Sequence, residues 1–319
     1  MRTRPLGQTG ISVSELTLGT WGLSGEAYGF VASEERDRVI DKAVELGITT
    51  FETADVYGRG AIESCLGQRL ALAPSQIITR IGTFRPEVAA GGDEQAHKRF
   101  DPQYLREAVK RSQERLRRSK VEIALLHNPS ASTMSRGEAA GVMKELKKSG
   151  TIGAWGVSAG DSYVVRAAIG QGAEVVELAY NIFFSRELHE LAGELRTAHV
   201  GIIARSVLSY GILAGFYTGT HYFPSGDHRG ERWSRQEFET RVRQLDAVRS
   251  LVNGPVLTMR AAAVRFVLAN EMVSSAVLGP KNVGQLEELV GEVGTGPPYL
   301  SDEALTRLAT ELTRVGVVT

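Results

Sequence analysis

Four side chains, Asp55, Tyr57, Arg80 and His127, are of types that together can hold and move a proton at an oxygen atom. A tyrosine hydroxyl has a reference pKa of ~10, so it exchanges its proton easily at neutral pH only when a nearby cation stabilises the phenolate. Arg80 is expected to be that cation and Asp55 to orient it, while His127 hydrogen-bonds a substrate carbonyl and Tyr57 gives or takes the proton. This is acid–base equipment for a carbonyl or an alcohol. Each residue alone has a plainer explanation: Asp55 as a turn cap, Tyr57 as a buried aromatic with a satisfied hydroxyl, His127 as a core histidine. Convergence of all of them at one end of one fold favours the chemical reading.

The elements that must bring them together follow from hydrophobic period. Short aliphatic or β-branched runs recur at 16–18, 48–51, 76–79, 121–126, 151–157, 175–178, 201–204 and 275–278, eight in all. Between them, apolar residues fall at helical spacing, as in Val39, Ile40, Ala43 and Val44, or Leu105, Ala108, Val109 and Leu116. Ser33 before Glu34 and Glu35, and Asp101 before Pro102, read as helix starts, and Gly47 and Gly150 as helix ends. Eight strand–helix units predict one (β/α)8 TIM barrel over residues 1–319, because an open doubly wound sheet usually stops near about six strands. Residues 2–13, with Gly7 and Gly10, predict a hairpin plugging the barrel's bottom. The segments 82–100 and 206–232 predict long loops at the C-terminal face, the second a lid, with Trp21, Phe84, Tyr210, Phe216 and Tyr217 as candidate pocket aromatics. Polar residues at the C-terminal strand ends, where barrels gather reacting groups, are Asp55, Tyr57, Arg80, His127, Ser158, Glu177, Tyr180 and Arg205.

Composition narrows the partners. The 319 residues carry 37 lysines plus arginines against 37 aspartates plus glutamates, so no overall field draws the chain to nucleic acid or an anionic membrane, and a small molecule is the expected partner. One cysteine, Cys65, excludes internal disulfides and a cysteine-rich metal site; no metal is expected, and a reducing cytoplasm is the expected compartment. No run approaches the ~20 apolar residues of a membrane span, and residues 1–10 have no secretory pattern.

Taken in order, the motifs resemble those of the aldo/keto reductase family over nearly the whole chain. RPLGQTG from Arg4 to Gly10 and LGTWG from Leu18 to Gly22 are similar to its opening, and GITTFETADVYG from Gly47 to Gly58 to its best-known signature. LLHNP from Leu125, GVS from Gly156, Tyr180-Asn181, GILAG from Gly211 and LGPKNVGQLEE from Leu278 to Glu288 continue the series. The resemblance implies hydride transfer from a reduced nicotinamide, usually NADPH, to an aldehyde or ketone. It implies Tyr57 as general acid, His127 as orienting donor, Asp55 as support and Arg80 where the family has a lysine. The cofactor would lie along Gly19, Thr20, Trp21, Ser158, Glu177, Arg205, Ser206 and Leu208, and then along Gly279, Lys281, Asn282, Gln285 and Glu288. Residues 275–290 also read independently as a strand, a turn and a helix opening at Asn282, a cap reinforced by Gln285, and such a helix start binds phosphate. Lys281 there would neutralise a pyrophosphate or a ribose 2′-phosphate. Leu289 stands where relatives often have asparagine, so NADP is the expectation and NAD stays open.

Nearest the nicotinamide the chain departs from the family. Ala159 follows Ser158, Glu177 replaces a glutamine, and Arg205 stands where many members stack a tyrosine. Glu177 and Arg205, on neighbouring strands, are expected to pair. Either the pair reshapes the nicotinamide pocket of a reductase, or Arg80 and Arg205 bind an anionic or polyhydroxylated substrate for non-redox chemistry such as dehydration or isomerisation. A cofactor-sensing subunit is a third reading, against which the retained Asp55, Tyr57 and His127 argue.

Overall fold

The computed structural model describes residues 1–86, 96–294 and 296–318. Two short antiparallel strands come first, β1 (Thr3–Pro5) and β2 (Ser12–Ser14). β3 (Leu16–Gly19), β4 (Thr50–Ala54) and β5 (Gln76–Ile81) follow. A small hairpin, β6 (Thr83–Phe84) and β7 (His97–Lys98), precedes β8 (Val121–His127), β9 (Ile152–Ser158), β10 (Val175–Ala179), β11 (Gly201–Arg205) and β12 (Val273–Leu278). Apart from the two hairpins, these strands pair in parallel in chain order and close an eight-stranded barrel. Helices such as α1 (Ser33–Glu45), α2 (Ala61–Arg69) and α3 (Pro102–Leu116) cover it, each burying an apolar stripe.

The eight expected strands are all present, and the largest shift is functional. The run expected at 48–51 begins at Thr50 and continues to Ala54, whose register partner is Arg80, so Glu52 lies inside a strand. Asp101 caps α3 as expected, its carboxylate accepting from the Tyr104 amide at 2.9 Å. Ser33 does not cap α1: it is the first helical residue, and Ala32 stands at the cap with no side-chain bond.

The N-terminal hairpin closes the bottom, as its glycines suggested. Leu6 and Val13 enter the barrel and pack with Ile78, Ile123, Ala154, Val175 and Ile203 in a fully buried interior layer. Gly7, at φ +53°, lies so close to β11 that a Cβ would meet the Gly201 nitrogen at 2.4 Å. Arg4 locks the hairpin in place: it pairs with buried Glu15 at 2.8 Å and donates to the carbonyls of Val273 (2.8 Å) and Leu268 (2.9 Å). Tyr299 donates to the other Glu15 oxygen at 2.5 Å. Removing the guanidinium leaves a buried carboxylate short of its main partner and two carbonyls unpaired. Arg4→Met is therefore expected to cost roughly 3–5 kcal/mol and to lower the thermal unfolding midpoint by roughly 5–10 °C in calorimetry, whereas an unchanged midpoint would mean the plug contributes nothing.

Candidate active site

Inside the barrel, strand alternation carries the apolar layer directly into a charged one. Two residues beyond Ile78 comes Arg80, beyond Leu125 His127, beyond Val175 Glu177, and beyond Ile203 Arg205; Ser158 follows Ala154 and Gly156. Arg80 is the centre of this layer. Its guanidinium meets a Glu52 carboxylate oxygen at 2.5 Å and a Glu177 oxygen at 3.7 Å, and donates a short hydrogen bond to the Tyr57 hydroxyl. Its planar carbon also stands 5.2 Å from the Tyr57 ring centroid. Glu52 and Glu177 are fully buried, and Arg80 is 8% exposed.

Electrostatics assigns protonation states. Burial disfavours the charge on Arg80, but Glu52, Tyr57 and Glu177 together hold it well into the cationic range. Burial likewise pushes Tyr57 well above its ordinary value; Arg80 opposes the shift, while Glu52 and Glu177 reinforce it. The expectation that Arg80 eases Tyr57 toward phenolate thus holds only for one contribution: the net result is a tyrosine that keeps its proton. His127 is pushed well below the usual histidine range by burial, and then by Arg80, Lys98 and Arg205, so its imidazole is neutral. Its ring faces that of Tyr57 edge-on, with centroids 6.5 Å apart, and its Nδ1 is buried without a partner.

Asp55 does not orient Arg80. The carboxylates on the guanidinium are Glu52 and Glu177, and Glu52 is the functional residue that the sequence reading passed over. The signal that identifies it is parity: Glu52 shares the inward face of β4, whereas Asp55, an odd number of residues further on, turns toward the helical layer. There it lies near Glu63, whose carboxylate accepts from Thr79 at 2.6 Å and from Arg115 at 2.7 Å. Burial first and Glu63 second raise Asp55 to about 7, against the pull of Arg115 and the Gly82 backbone.

On the side expected to hold nicotinamide, the Glu177–Arg205 pair is not formed. Glu177 is in register with Ile203, so Arg205 stands one step further up the barrel, where it donates to the Ala159 carbonyl at 2.8 Å and lies 3.4 Å from the Ser206 hydroxyl. Both carboxylate oxygens of Glu177 lack hydrogen-bond partners, and so does the hydroxyl of its register neighbour Ser158. Gly19 ends β3 so close to Glu52 that a Cβ would lie 3.5 Å from its carboxylate. Thr20 donates to the Glu52 carbonyl at 2.9 Å, and Trp21 stacks on Tyr57 with centroids 6.5 Å apart. The loop 206–232 begins with Ser206 at φ 58° and half-buried Leu208, and returns to place His228 against both Trp21 (4.7 Å) and Tyr28 (4.8 Å). Of the remaining loop aromatics, Tyr210 faces His228, Tyr217 bonds Arg229 at 2.6 Å, Phe84 packs on Tyr104, and Phe216 is 72% exposed. The expected loop 82–100 includes 87–95, which lie outside the described residues.

Further along, β12 ends before Gly279, and Asn282 caps the helix Val283–Gly291 by accepting from the Gln285 amide at 2.9 Å. Gln285 returns a bond to the Lys281 amide (2.8 Å) rather than to Asn282. The Lys281 ammonium donates to the Tyr28 carbonyl at 2.5 Å, and Glu35 of α1 accepts from the Val283 amide at 2.9 Å. Glu288 pairs with Arg260 at 2.8 Å. Among the described residues there is no group of three or more histidine, cysteine or acidic side chains able to hold a metal, and no helix long and apolar enough to cross a membrane.

A parallel eight-stranded barrel whose C-terminal strand ends carry a buried tyrosine, guanidinium and imidazole is the architecture of a TIM-barrel enzyme. Residues 15–303 match the model of the aldo/keto reductase family, and the chain belongs to that family and is an oxidoreductase. It is 26% identical over 292 residues to YqkF, an uncharacterised oxidoreductase of Bacillus subtilis, with 90% of each chain covered. Among solved structures it resembles the glycerol dehydrogenase AKR11B4 from Gluconobacter oxydans (TM-score 0.85, 24% identity, 99% of this chain and 97% of that one). It also resembles the holo form of the aldo-keto reductase AKR11C1 from Bacillus halodurans (TM-score 0.80, 23% identity, 98% and 96% covered). These two likenesses establish the fold.

The raised Asp55 makes a testable contribution to stability. Its carboxyl holds a proton more tightly folded than unfolded, so stability falls as pH rises from the ordinary aspartate value near ~4 to about 7. Asp55→Asn removes that slope, so its thermal midpoint relative to wild type should rise between about pH 4 and pH 7 and then level off. Parallel curves for the two proteins would show that Asp55 titrates normally.

Proposed function

We propose that this chain reduces an aldehyde or ketone to the alcohol with a nicotinamide dinucleotide, NADPH by preference, Tyr57 giving the proton and His127 orienting the carbonyl. The observation that carries the reading is the matched state of the two donors: burial and two carboxylates keep Tyr57 protonated, and burial beside three cations keeps His127 neutral. A neutral imidazole can donate one N–H to a carbonyl oxygen, and a tyrosine that resists ionisation yields its proton only as that oxygen becomes basic. Arg80 is the fixed cation against which negative charge left on Tyr57 is stabilised, and Glu52 fixes Arg80.

The residues present fit a nicotinamide ring. Glu177 and Ser158 supply unpartnered buried oxygens where a carboxamide needs acceptors, and Arg205 offers a planar cation at the rim of the same face. Lys281, whose ammonium meets only a backbone carbonyl among the described residues, would hold phosphate at the Asn282 helix start and supports NADPH over NADH. Bound there, the cofactor supplies hydride to the carbonyl carbon; every proton in the scheme belongs to the protein side. Non-redox use of Arg80 to bind an anionic substrate is disfavoured, because Glu52, Glu177 and Tyr57 already take up its guanidinium. The expected substrate is a small carbonyl compound and the expected compartment the cytoplasm.

Titration with NADPH and NADH followed by tryptophan fluorescence, with cofactor oxidation monitored across an aldehyde panel, tests the reading. Tyr57→Phe should slow oxidation by roughly a hundredfold or more while cofactor Kd changes by less than about threefold. Failure of either cofactor to bind at millimolar concentration would sink the reductase reading, and an undiminished rate in Tyr57→Phe would remove Tyr57 as the donor.

A further inference from the structure

A lysine from outside the barrel reaches this site. Although Lys98 lies on the exposed two-residue strand β7, paired with Thr83 of β6, its ammonium turns inward. It donates to the Thr83 hydroxyl at 2.7 Å and to the backbone carbonyl of His127 at 2.8 Å. An ammonium has three N–H donors, so one remains without a hydrogen bond among the described residues. No carboxylate is within ion-pair distance among the described residues, although Asp55, whose Oδ1 is buried without a partner, exerts a field on it. The charged and titratable groups that face it are Asp55 after β4, Arg80 of β5 and His127 at the end of β8. Its neighbour Arg99 turns away to Asp101 (2.7 Å), and the Tyr104 hydroxyl of α3 is held by the Thr83 carbonyl at 3.2 Å.

We propose that Lys98 is a positioning residue of the active site: its ammonium ties down the strand end that carries His127 and adds a second positive charge at that end beside Arg80. The argument rests on the reductase reading for its kinetic consequences and on geometry for the placement. A guanidinium remains charged over any accessible pH, so the charge of Arg80 does not change with pH. Lys98 differs because burial and then Arg80 lower it to about 8, with Asp55 opposing. Loss of its proton replaces a charged donor with a neutral amine and weakens the bond that fixes the His127 carbonyl. Turnover is therefore expected to fall as Lys98 loses its proton, with little change in KM.

Two readouts separate this from a purely structural role. In the ligand-free enzyme carrying lysine labelled with carbon-13 at Cε, the resonance absent from Lys98→Arg should titrate near about 8, well below the ordinary lysine value of ~10.4. A midpoint at the ordinary value overturns the proposal whether or not the enzyme turns over. In steady-state reduction of the best aldehyde with NADPH, Lys98→Met should lower kcat about tenfold and leave KM within about threefold. Lys98→Arg should restore the neutral-pH rate and move the alkaline fall past about pH 9, since its charge does not titrate there. Wild-type rates in Lys98→Met at every pH, or equal losses in both variants with an unchanged pH profile, would overturn it. Absence of any cofactor oxidation by the wild type counts against the reductase reading instead, and the carbon-13 titration then decides on Lys98 alone.

Discussion

A guanidinium held in the dry interior of the barrel is the constraint around which the site is built. Arg80 stays charged there because Glu52 reaches it from the adjacent strand and Glu177 from across the barrel. Stripping one partner from such a buried group typically costs about 3–5 kcal/mol, so the three side chains persist together or not at all. The geometry also suits an arginine at this position. A forked, planar group can meet Glu52, Glu177 and the Tyr57 hydroxyl at once, whereas an ammonium is a single point charge on a flexible stem.

That arrangement biases the chemistry in one direction. The two carboxylates that secure Arg80 also oppose a negative charge on Tyr57, and burial adds to them, so the tyrosine rests as an acid. Burial raises Glu52 to about 8 against the pull of Arg80 and Arg205, and half-buried Arg205 also bears on Tyr57 and His127. A guanidinium, paired in this way or not, offers no exchangeable proton.

Most of the architecture was legible because it rests on local signals: strand runs, helix periods, the Asp101 cap and the glycine-marked hairpin all reappear where hydrophobic period and turn chemistry put them. Tyr57, Arg80 and His127 meet as strand order required. The site's acidic partners were harder to read. Asp55 is two residues from Tyr57 and looks like its neighbour, yet it turns to the Glu63 and Arg115 layer, while Glu52, three residues earlier, faces inward. Strand parity distinguishes them only once the end of β4 is known, and that end lies three residues beyond Phe51, where the expected run stops. Glu177 and Arg205 failed to pair for a related reason, since register between adjacent strands offsets them by one inward step. Lys98 left no periodic trace, because a two-residue strand inside a polar loop carries none.

Three layers now account for the strength of the electrostatics. At the bottom, Leu6 and Val13 close the barrel with hydrocarbon. Above them comes the layer of Glu52, Arg80, His127 and Glu177. Over that, Trp21 lies on Tyr57, His228 on Trp21 and Tyr28, and Tyr210 on His228, an aromatic wall drawn from the loop after β3 and the loop after β11. Burial among these rings lowers His228 to about 4, so it stays uncharged and packs as an aromatic. Charges buried among these layers act on one another far more strongly than across solvent. The two loops thus do more than shape a mouth for substrate. They also meet at the Tyr28–Asp227 bridge, which joins the two halves of the aromatic wall beside Tyr57.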